Sequence, residues 1–372
     1  MSSGIYVHVP FCVKKCDYCD FYSLGGRDCG DIKKYADTII KHMTLSQDKT
    51  LFCDSLYLGG GTPSLLSGES VKDIVSAAKA CFTLSEDCEI TLECNPGTVD
   101  VKKLRDFLCA GVNRISLGVQ SLNDTELSAL GRLHNAEGAK SAIEQAHSAG
   151  FENISCDVMF GIPHQTRQSL LGTLDGLLSY PITHISAYGL KIEPSTPFAR
   201  AKNLILPDED EEKAMYFDII SRLNKNGFEQ YEISNFALNG KVSRHNIKYW
   251  RAESYLSFGP CAASYINGQR YTYTRDIEGY CSAVQAGKNP PESERYTVDT
   301  SEKREEKIIF GLRLTQGISL TECGLSAEKI RKSPVLSRLL REGYITLSDD
   351  NLALSPRGFY ISNSIINELI EL

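Results

Sequence analysis

The sequence predicts an α/β protein built around a parallel sheet, followed by a smaller module. Six short apolar segments alternate with helical segments over the first half of the chain, an order that favours parallel strands joined by crossover helices. These strands are mainly apolar, as expected of strands that helices cover. Unusual polar residues and glycines follow the C-terminal ends of the strands, where such folds build their sites. A partial barrel of six units and an open doubly wound sheet both fit this order.

The first predicted strand, residues 4–9, ends at Pro10. The second begins at Ser55 and runs into a glycine-rich turn, where Pro63 prevents the strand from continuing. Apolar composition predicts four further strands at residues 89–94, 114–120, 153–160 and 184–192. Helices are predicted between the strands at residues 31–44, 67–81, 101–109, 124–130, 137–149 and 166–179.

The alternation stops near residue 205. An acidic run begins a helix over residues 208–226, where the helix dipole favours negative charge in the first turn. The tail contains helices at 305–314, 326–331 and 335–342, a hairpin at 344–354 and a last helix at 358–370, the order of a winged helix. With Asn289-Pro-Pro as a border, the predicted domains are residues 1–205, 206–290 and 291–372.

Composition narrows the class of protein. The 372 residues are 42% hydrophobic and 23% charged, which is typical of a soluble globular protein of more than one domain. A net charge of −7 argues against non-specific nucleic-acid binding, and the tail module has ten basic and ten acidic residues, so we expect it to act as a cap or to dock a partner. No apolar run is long enough for a membrane span, and we expect no signal peptide.

Thirteen cysteines without a framework spacing predict mostly buried thiols in a reducing cytoplasm. Three of them stand apart. Cys12, Cys16 and Cys19 form C-x3-C-x2-C directly after the first strand. Structural zinc prefers four closed ligands, whereas a [4Fe–4S] cluster held by three cysteines keeps one iron free for another ligand. A zinc knuckle, or three unrelated loop thiols, is the alternative.

This triplet, with Tyr18 before its last cysteine, resembles the motif of the radical S-adenosylmethionine (SAM) superfamily. The flanking Tyr6, His8 and Pro10-Phe11 resemble the coproporphyrinogen-oxidase-like branch of that superfamily. The resemblance implies a partial (β/α)6 barrel with a C-terminal winged-helix-like α+β domain. It also implies that the three cysteines hold a [4Fe–4S] cluster whose free iron binds SAM, so that the cofactors carry the chemistry.

The resemblance extends to the residues that bind SAM in this family. The matching positions here are Tyr6, Tyr18, Gly60, Gly61, Thr62, Glu93, Gln120, Arg132 and Asp157. A carboxylate such as Glu93 can accept hydrogen bonds from an ammonium or from ribose hydroxyls, and Arg132 can pair with a carboxylate in bidentate fashion. Asp157 lies between apolar neighbours in its strand, where a carboxylate needs a partner.

Two functions compete within this branch. His245 lies in H-N-x-x-Y-W, which resembles the motif of the haem-chaperone subgroup called HemW and implies haem ligation by its imidazole; ordinary packing is the alternative. Oxygen-independent coproporphyrinogen III oxidases carry a further cysteine where this chain has Phe21, and an N-terminal arm before the first strand. We therefore expect a haem chaperone without oxidase activity and without catalytic residues. It would deliver haem to an acceptor protein, for which a respiratory enzyme is one candidate. The sequence leaves open whether the protein contacts the membrane surface.

Overall fold

The computed structural model describes residues 2–372. Its strands form a large sheet, a three-stranded sheet near the C-terminus and a two-stranded ribbon. In chain order the strands are β1 (Ser3–Val9), β2 (Phe11–Cys12), β3 (Leu24–Gly25), β4 (Phe52–Gly60), β5 (Thr83–Cys94), β6 (Arg114–Gln120), β7 (Ile154–Phe160), β8 (His184–Gly189), β9 (Glu229–Gln230), β10 (Asn235–Ala237), β11 (Tyr255–Phe258), β12 (Ala263–Ile266), β13 (Gln269–Tyr273), β14 (Glu292–Thr297), β15 (Ile318–Ser319), β16 (Ile345–Leu347) and β17 (Asn351–Leu354).

Helices connect most of the parallel strands. In chain order they are α1 (Cys29–Leu45), α2 (Gly68–Cys81), α3 (Val101–Cys109), α4 (Asp124–Ala129), α5 (Ala136–Ala149), α6 (Arg167–Leu178), α7 (Pro197–Arg200), α8 (Glu209–Lys225), α9 (Arg244–Trp250), α10 (Ile277–Gln285), α11 (Thr300–Gly311), α12 (Ala327–Lys332), α13 (Pro334–Arg341), α14 (Pro356–Tyr360) and α15 (Ser362–Ile370). The six predicted strands are all present, and the predicted helices between them begin and end within a few residues of the observed ones.

The order of the large sheet decides between the two predicted architectures. Its strands run β14-β13-β12-β11-β1-β4-β5-β6-β7-β8-β10-β9, and the series β1, β4, β5, β6, β7 and β8 pairs in parallel, each strand beside the one before it in that series. A doubly wound sheet would reverse its order at a switch point within this series. Because right-handed crossovers that always advance in one direction put their helices on one face, the sheet curls as in a barrel. The partial barrel is confirmed.

The sheet is larger than the sequence predicted. β11 adds a seventh parallel strand beside β1, with Gly4 opposite Tyr255 and Val7 opposite Phe258. Antiparallel strands β12–β14 extend one edge, and β10 and β9 extend the other. The segments after residue 205 therefore continue the sheet at both edges, and the large sheet ends at Thr297. The predicted domain borders remain predictions.

Alternation along the strands separates an apolar face from a polar one. Ile115 and Leu117 of β6 belong to the hydrophobic core under the helices, whereas Arg114 and Ser116 do not. Polar side chains of neighbouring strands bond one another on the other face, as Ser116 does with Asp157. Since adjacent residues of a strand point to opposite faces, the interior of the barrel is polar. The polar lining differs from the mainly apolar strands predicted from the sequence.

The C-terminal module matches the predicted order with two changes. The hairpin is β16–β17, and β15 adds a third strand to it. The predicted last helix divides into α14 and α15 at Ile361. The module packs against α8 and α9. None of the helices that the structure describes combines the length and apolar character needed to cross a bilayer.

Candidate active site

The loop that carries the three cysteines is fixed at the C-terminal ends of the parallel strands. Cys12 ends β2, and the loop continues past Cys16 and Cys19 before β3 pairs with β2. The backbone amide of Asp17 donates to the Leu130 carbonyl at 3.3 Å, and the Phe198 amide donates to the Asp17 carbonyl at 3.1 Å. Arg275 Nη2 donates to the Asp20 carbonyl at 3.0 Å. Three separate connections of the barrel therefore hold this loop.

The three thiols are half-buried, and each lies among polar neighbours. Thr62 Oγ1 lies 3.5 Å from Cys12 Sγ, and Arg132 Nη1 lies 3.5 Å from Cys16 Sγ. Burial raises the pKa of Cys19, and the other two thiols of the triplet raise it further. The loop thus gathers three sulfurs close enough to interact electrostatically.

Zinc and an iron–sulfur cluster differ in what they require of the three thiols. Among residues 2–372, no group of three His, Cys, Asp or Glu side chains is arranged to hold one metal ion. Zinc would require its thiolates all within about 2.3 Å of one centre. A cubane places each thiolate on a different iron, so its ligands are further apart.

Arg132 connects the cysteine loop to the strand ends. Its Nη2 donates to the Gly118 carbonyl at 2.6 Å and to Asn95 Oδ1 at 3.0 Å, while Nη1 faces Cys16. Its Nε is buried and has no hydrogen-bond partner among residues 2–372. A buried guanidinium donor that lacks an acceptor lowers the stability of the folded protein. An anionic ligand bound beside Nε would supply that acceptor.

The glycine-rich turn after β4 has no space for side chains. Gly60 has a φ of +113°, and a Cβ there would lie 2.5 Å from the His8 ring. A Cβ on Gly61 would lie 2.6 Å from the Phe11 carbonyl oxygen and 2.9 Å from the Phe11 nitrogen. The turn therefore packs directly against the strand that leads into the cysteine loop, and glycine is required there by the packing of the chain itself.

Two carboxylates face the interior near the same end of the barrel. Glu93 accepts from Tyr57 Oη at 2.8 Å and from the Gly60 amide at 3.0 Å. Burial raises its pKa to about 7, and the Asp157 carboxylate also raises it. Asp157 accepts from Ser116 Oγ at 3.1 Å, and burial raises its pKa as well. Each Glu93 oxygen keeps a lone pair for another donor.

The remaining predicted residues complete this end of the barrel. A Cβ on Gly118 would lie 3.2 Å from both Arg132 Nη2 and Gln120 Nε2, so these two side chains converge over that glycine. Gln120 is buried with a φ of +67° at the end of β6. The ring centroids of Tyr18 and Phe198 lie 6.5 Å apart, and burial raises the pKa of Tyr18.

Tyr6 fixes the orientation of His8. His8 Nε2 lies 2.9 Å from the Tyr22 carbonyl, which only accepts, so Nε2 carries the proton. Burial lowers the pKa of His8, which keeps the ring neutral. Its Nδ1 therefore accepts from Tyr6 Oη at 3.1 Å. Tyr6 also stacks on Tyr57 and on His245, with centroid separations of 6.2 Å in both cases.

His245 lies deeper, inside the barrel. Its side chain is 1% exposed, with Nδ1 2.9 Å from Ser55 Oγ and Nε2 2.9 Å from Tyr249 Oη. Burial lowers its pKa to about 3. Both ring nitrogens are therefore engaged, and the structure does not bring His245 to the cysteine loop. Haem ligation by His245 remains a prediction, and it would require one of these two bonds to break.

Two relatives match the chain over nearly its full length. The chain is 35% identical to "Heme chaperone HemW" of Bacillus subtilis, covering 98% of both proteins, and 33% identical to the protein of that name from Escherichia coli, covering 98% and 97%. Sequence models of the radical SAM superfamily and of the HemN C-terminal domain match residues 6–177 and 298–361. The chain belongs to the HemW family of radical SAM proteins. The solved coproporphyrinogen III oxidase HemN of Escherichia coli has the same fold as this HemW family member, with a TM-score of 0.84 at 19% identity over 99% of this chain and 90% of that one.

Membership of the radical SAM superfamily implies a [4Fe–4S] cluster and SAM, and the residues fit both. Three half-buried thiols on a fixed loop, beside a guanidinium with an unpartnered Nε, suit an electron-rich cluster. Glu93, Gln120, Arg132 and Asp157 converge at the adjacent strand ends, where SAM would lie against its cluster. When bound, the cluster supplies an electron to SAM. The cysteine loop and the polar residues at the strand ends of this HemW family member would hold the cluster and SAM in position.

The structure adds residues that the sequence analysis did not select. Tyr57 orients Glu93, and Asn95 orients Arg132. Arg114 is buried in the interior and interacts electrostatically with Glu89 and Asp157. Asn95 stands two residues after Glu93 at a strand end, a position that could have been selected. Arg114, a single arginine at the start of an apolar strand, is not marked by any sequence pattern.

Proposed function

We propose that this chain is a haem chaperone, which binds haem and a SAM-ligated [4Fe–4S] cluster and passes haem to an acceptor protein in the cytoplasm. The observation that carries this proposal is the full-length similarity to relatives named "Heme chaperone HemW", which extends through the cysteine loop, the 244–250 helix and the C-terminal module. Phe21, where coproporphyrinogen oxidases have a further cysteine, supports it. Its ring is 68% exposed beside the cysteine loop.

The acceptor belongs to the same proposal. Haem carriers need a protein that takes haem from them, and a respiratory enzyme is the acceptor class we favour. The C-terminal module suits docking of a protein partner because its equal numbers of acidic and basic residues do not favour nucleic acid.

An anaerobic assay separates the chaperone from the oxidase. Cluster-loaded protein supplied with SAM, a strong reductant and coproporphyrinogen III should leave that substrate unchanged, because a haem chaperone does not decarboxylate propionate side chains. The same preparation should bind haem with a defined Soret band. Protoporphyrinogen in the assay would contradict the proposal and favour the oxidase, and an authentic coproporphyrinogen oxidase run in parallel controls for reductant and SAM quality.

We expect SAM affinity to increase with pH through the range in which Glu93 ionises. Burial raises its pKa to about 7, so the carboxyl is protonated below that pH and cannot pair with a cationic ligand. Calorimetry on cluster-loaded protein from about pH 5.5 to about pH 7.5 should show tighter binding as pH rises, with proton release near the lower end. Tyr57, Asp157 and Arg114 also interact with this carboxyl and contribute to its pKa. The pH profile of each variant is therefore compared separately with that of wild type.

The Glu93→Gln variant should lose most of this pH dependence, whereas Asp157→Asn should keep it with a shifted midpoint. An unchanged pH profile in Glu93→Gln would remove Glu93 from the SAM site.

A further inference from the structure

Exposed apolar side chains concentrate at one end of the barrel. Ten large hydrophobic side chains are exposed among the described residues. Seven of them lie in or after the C-terminal ends of parallel strands, a region that we name the mouth. These seven are Val13, Phe21, Leu133, Tyr188, Ile192, Ile205 and Leu206. Scattered exposed hydrophobics are ordinary, but their concentration at one end of the barrel indicates a surface that binds something apolar.

Three of the seven belong to one stretch, which follows β8 at the mouth. Apart from the four residues of α7, residues 190–208 have irregular structure, and we name them the mouth strap. Leu190 and Leu204 of the strap pack into a small apolar cluster with Met159, Ile162 and Phe198. The strap is thereby anchored, while Ile192, Ile205 and Leu206 remain outside that cluster and exposed.

One histidine lies beside these exposed side chains. His164 follows β7, whose last residue, Phe160, is paired with Gly189, the residue directly before the strap. Its backbone amide donates to the Ile205 carbonyl at 3.4 Å, and its side chain is exposed. Of the seven histidines only His147 and His164 are exposed in the described chain, and His147 is at the other end of the barrel, in the last turn of α5.

The strap contains three basic residues and two acidic ones, Glu193 and Asp208. Lys191, Arg200 and Lys202 are exposed on it, and the one of these in an ion pair within residues 2–372 is Lys191, which meets Glu193 at 2.6 Å. A flat apolar macrocycle with two carboxylates and an iron needs an apolar surface, cations and an imidazole. The strap and His164 supply all three, whereas both ring nitrogens of His245 are already bonded inside the barrel.

We propose that haem binds across the mouth strap, with His164 as the axial ligand of its iron and with Ile192, Ile205 and Leu206 against its apolar face. This inference rests on the proposed chaperone function and specifies the site for it. Arg200 and Lys202 pair with the propionates. Haem at the mouth is open to solvent on its outer side, which suits a carrier that must release its cargo to another protein.

Haem titration of the full-length, cluster-loaded protein tests the site. His164→Ala should bind haem about tenfold more weakly and shift the Soret band, because the iron loses its imidazole. Added imidazole should restore the band position of the His164→Ala complex, an effect that a folding defect would not produce. His147→Ala, which removes the other exposed histidine, should match wild type in affinity and spectrum.

A double change, Ile205→Ser with Leu206→Ser, should weaken haem binding without moving the Soret band. If His164→Ala matches wild type while His245→Ala loses the band, the inference is overturned but the chaperone function stands. Absence of haem binding by wild type removes the chaperone function itself. If the double change abolishes cosedimentation with phosphatidylglycerol vesicles but leaves haem affinity unchanged, the strap contacts membrane and the haem site is excluded.

Discussion

Cys16→Ser protein, reconstituted anaerobically with iron and sulfide, will retain almost no iron, whereas wild type will hold about four iron atoms per chain. Cys16 is the thiol that Arg132 contacts, and two cysteines cannot hold the cluster that three can. The broad absorbance of the cluster near 400 nm should disappear together with the iron. Cys12→Ser and Cys19→Ser should behave in the same way.

Cys29→Ser is the matched control. Cys29 is an exposed thiol in the first turn of α1, outside the triplet, and its loss should leave iron content and absorbance unchanged. In wild type, added SAM should change the electron paramagnetic resonance spectrum of the reduced cluster, because one iron is open to it. Stoichiometric zinc without iron in anaerobically prepared wild type would contradict the assignment.

Gly61→Ala should destabilise the protein by about 2 to 3 kcal/mol and also lower its cluster content. The new Cβ would meet the backbone of Phe11, whose atoms cannot rotate away, so the strand leading to Cys12 must shift. Urea unfolding of the cluster-free protein measures the first effect, and iron analysis after reconstitution measures the second.

Two other glycines control for the substitution itself. A Cβ on Gly97 or on Gly172 would have no atom within 4 Å. Gly97→Ala should leave stability nearly unchanged, and Gly172→Ala, inside α6, should stabilise by about 0.5 to 1 kcal/mol through helix propensity. Normal stability and normal iron content in Gly61→Ala would show that the turn does not constrain the cysteine loop.

The sequence was sufficient for the parallel strands and the cysteine loop because both signals are local. An apolar run bounded by glycine or proline predicts a strand, and C-x3-C-x2-C lies within eight residues. The pairing of β11 with β1 is different, because these strands are about 250 residues apart in the chain and no local pattern encodes their register. The pairing of β10 with β8 was missed for the same reason, whereas the β12–β13 hairpin has a local turn signal, Asn267-Gly268, that was overlooked.

The surroundings of His245 were partly predictable. Residues four apart on a helix share a face, so the spacing of His245 and Tyr249 already allowed the bond between Nε2 and Tyr249 Oη. Its second partner, Ser55, comes from a distant strand and could not be foreseen. His164 carried no motif at all. Its position beside exposed apolar side chains depends on how the strap folds back over the mouth.

Because the sheet is extended at both sides and does not close, its two outermost strands offer backbone hydrogen-bonding groups to any neighbouring chain. One of them, β9, has only two residues, too few to serve as a template. The other, β14, reads Glu-Ser-Glu-Arg-Tyr-Thr, with Arg295 held between Glu292 and the Tyr271 ring. Adding a strand there would bury these charges, so the chain is protected against edge-to-edge self-association at the places where an unclosed barrel is most vulnerable to it.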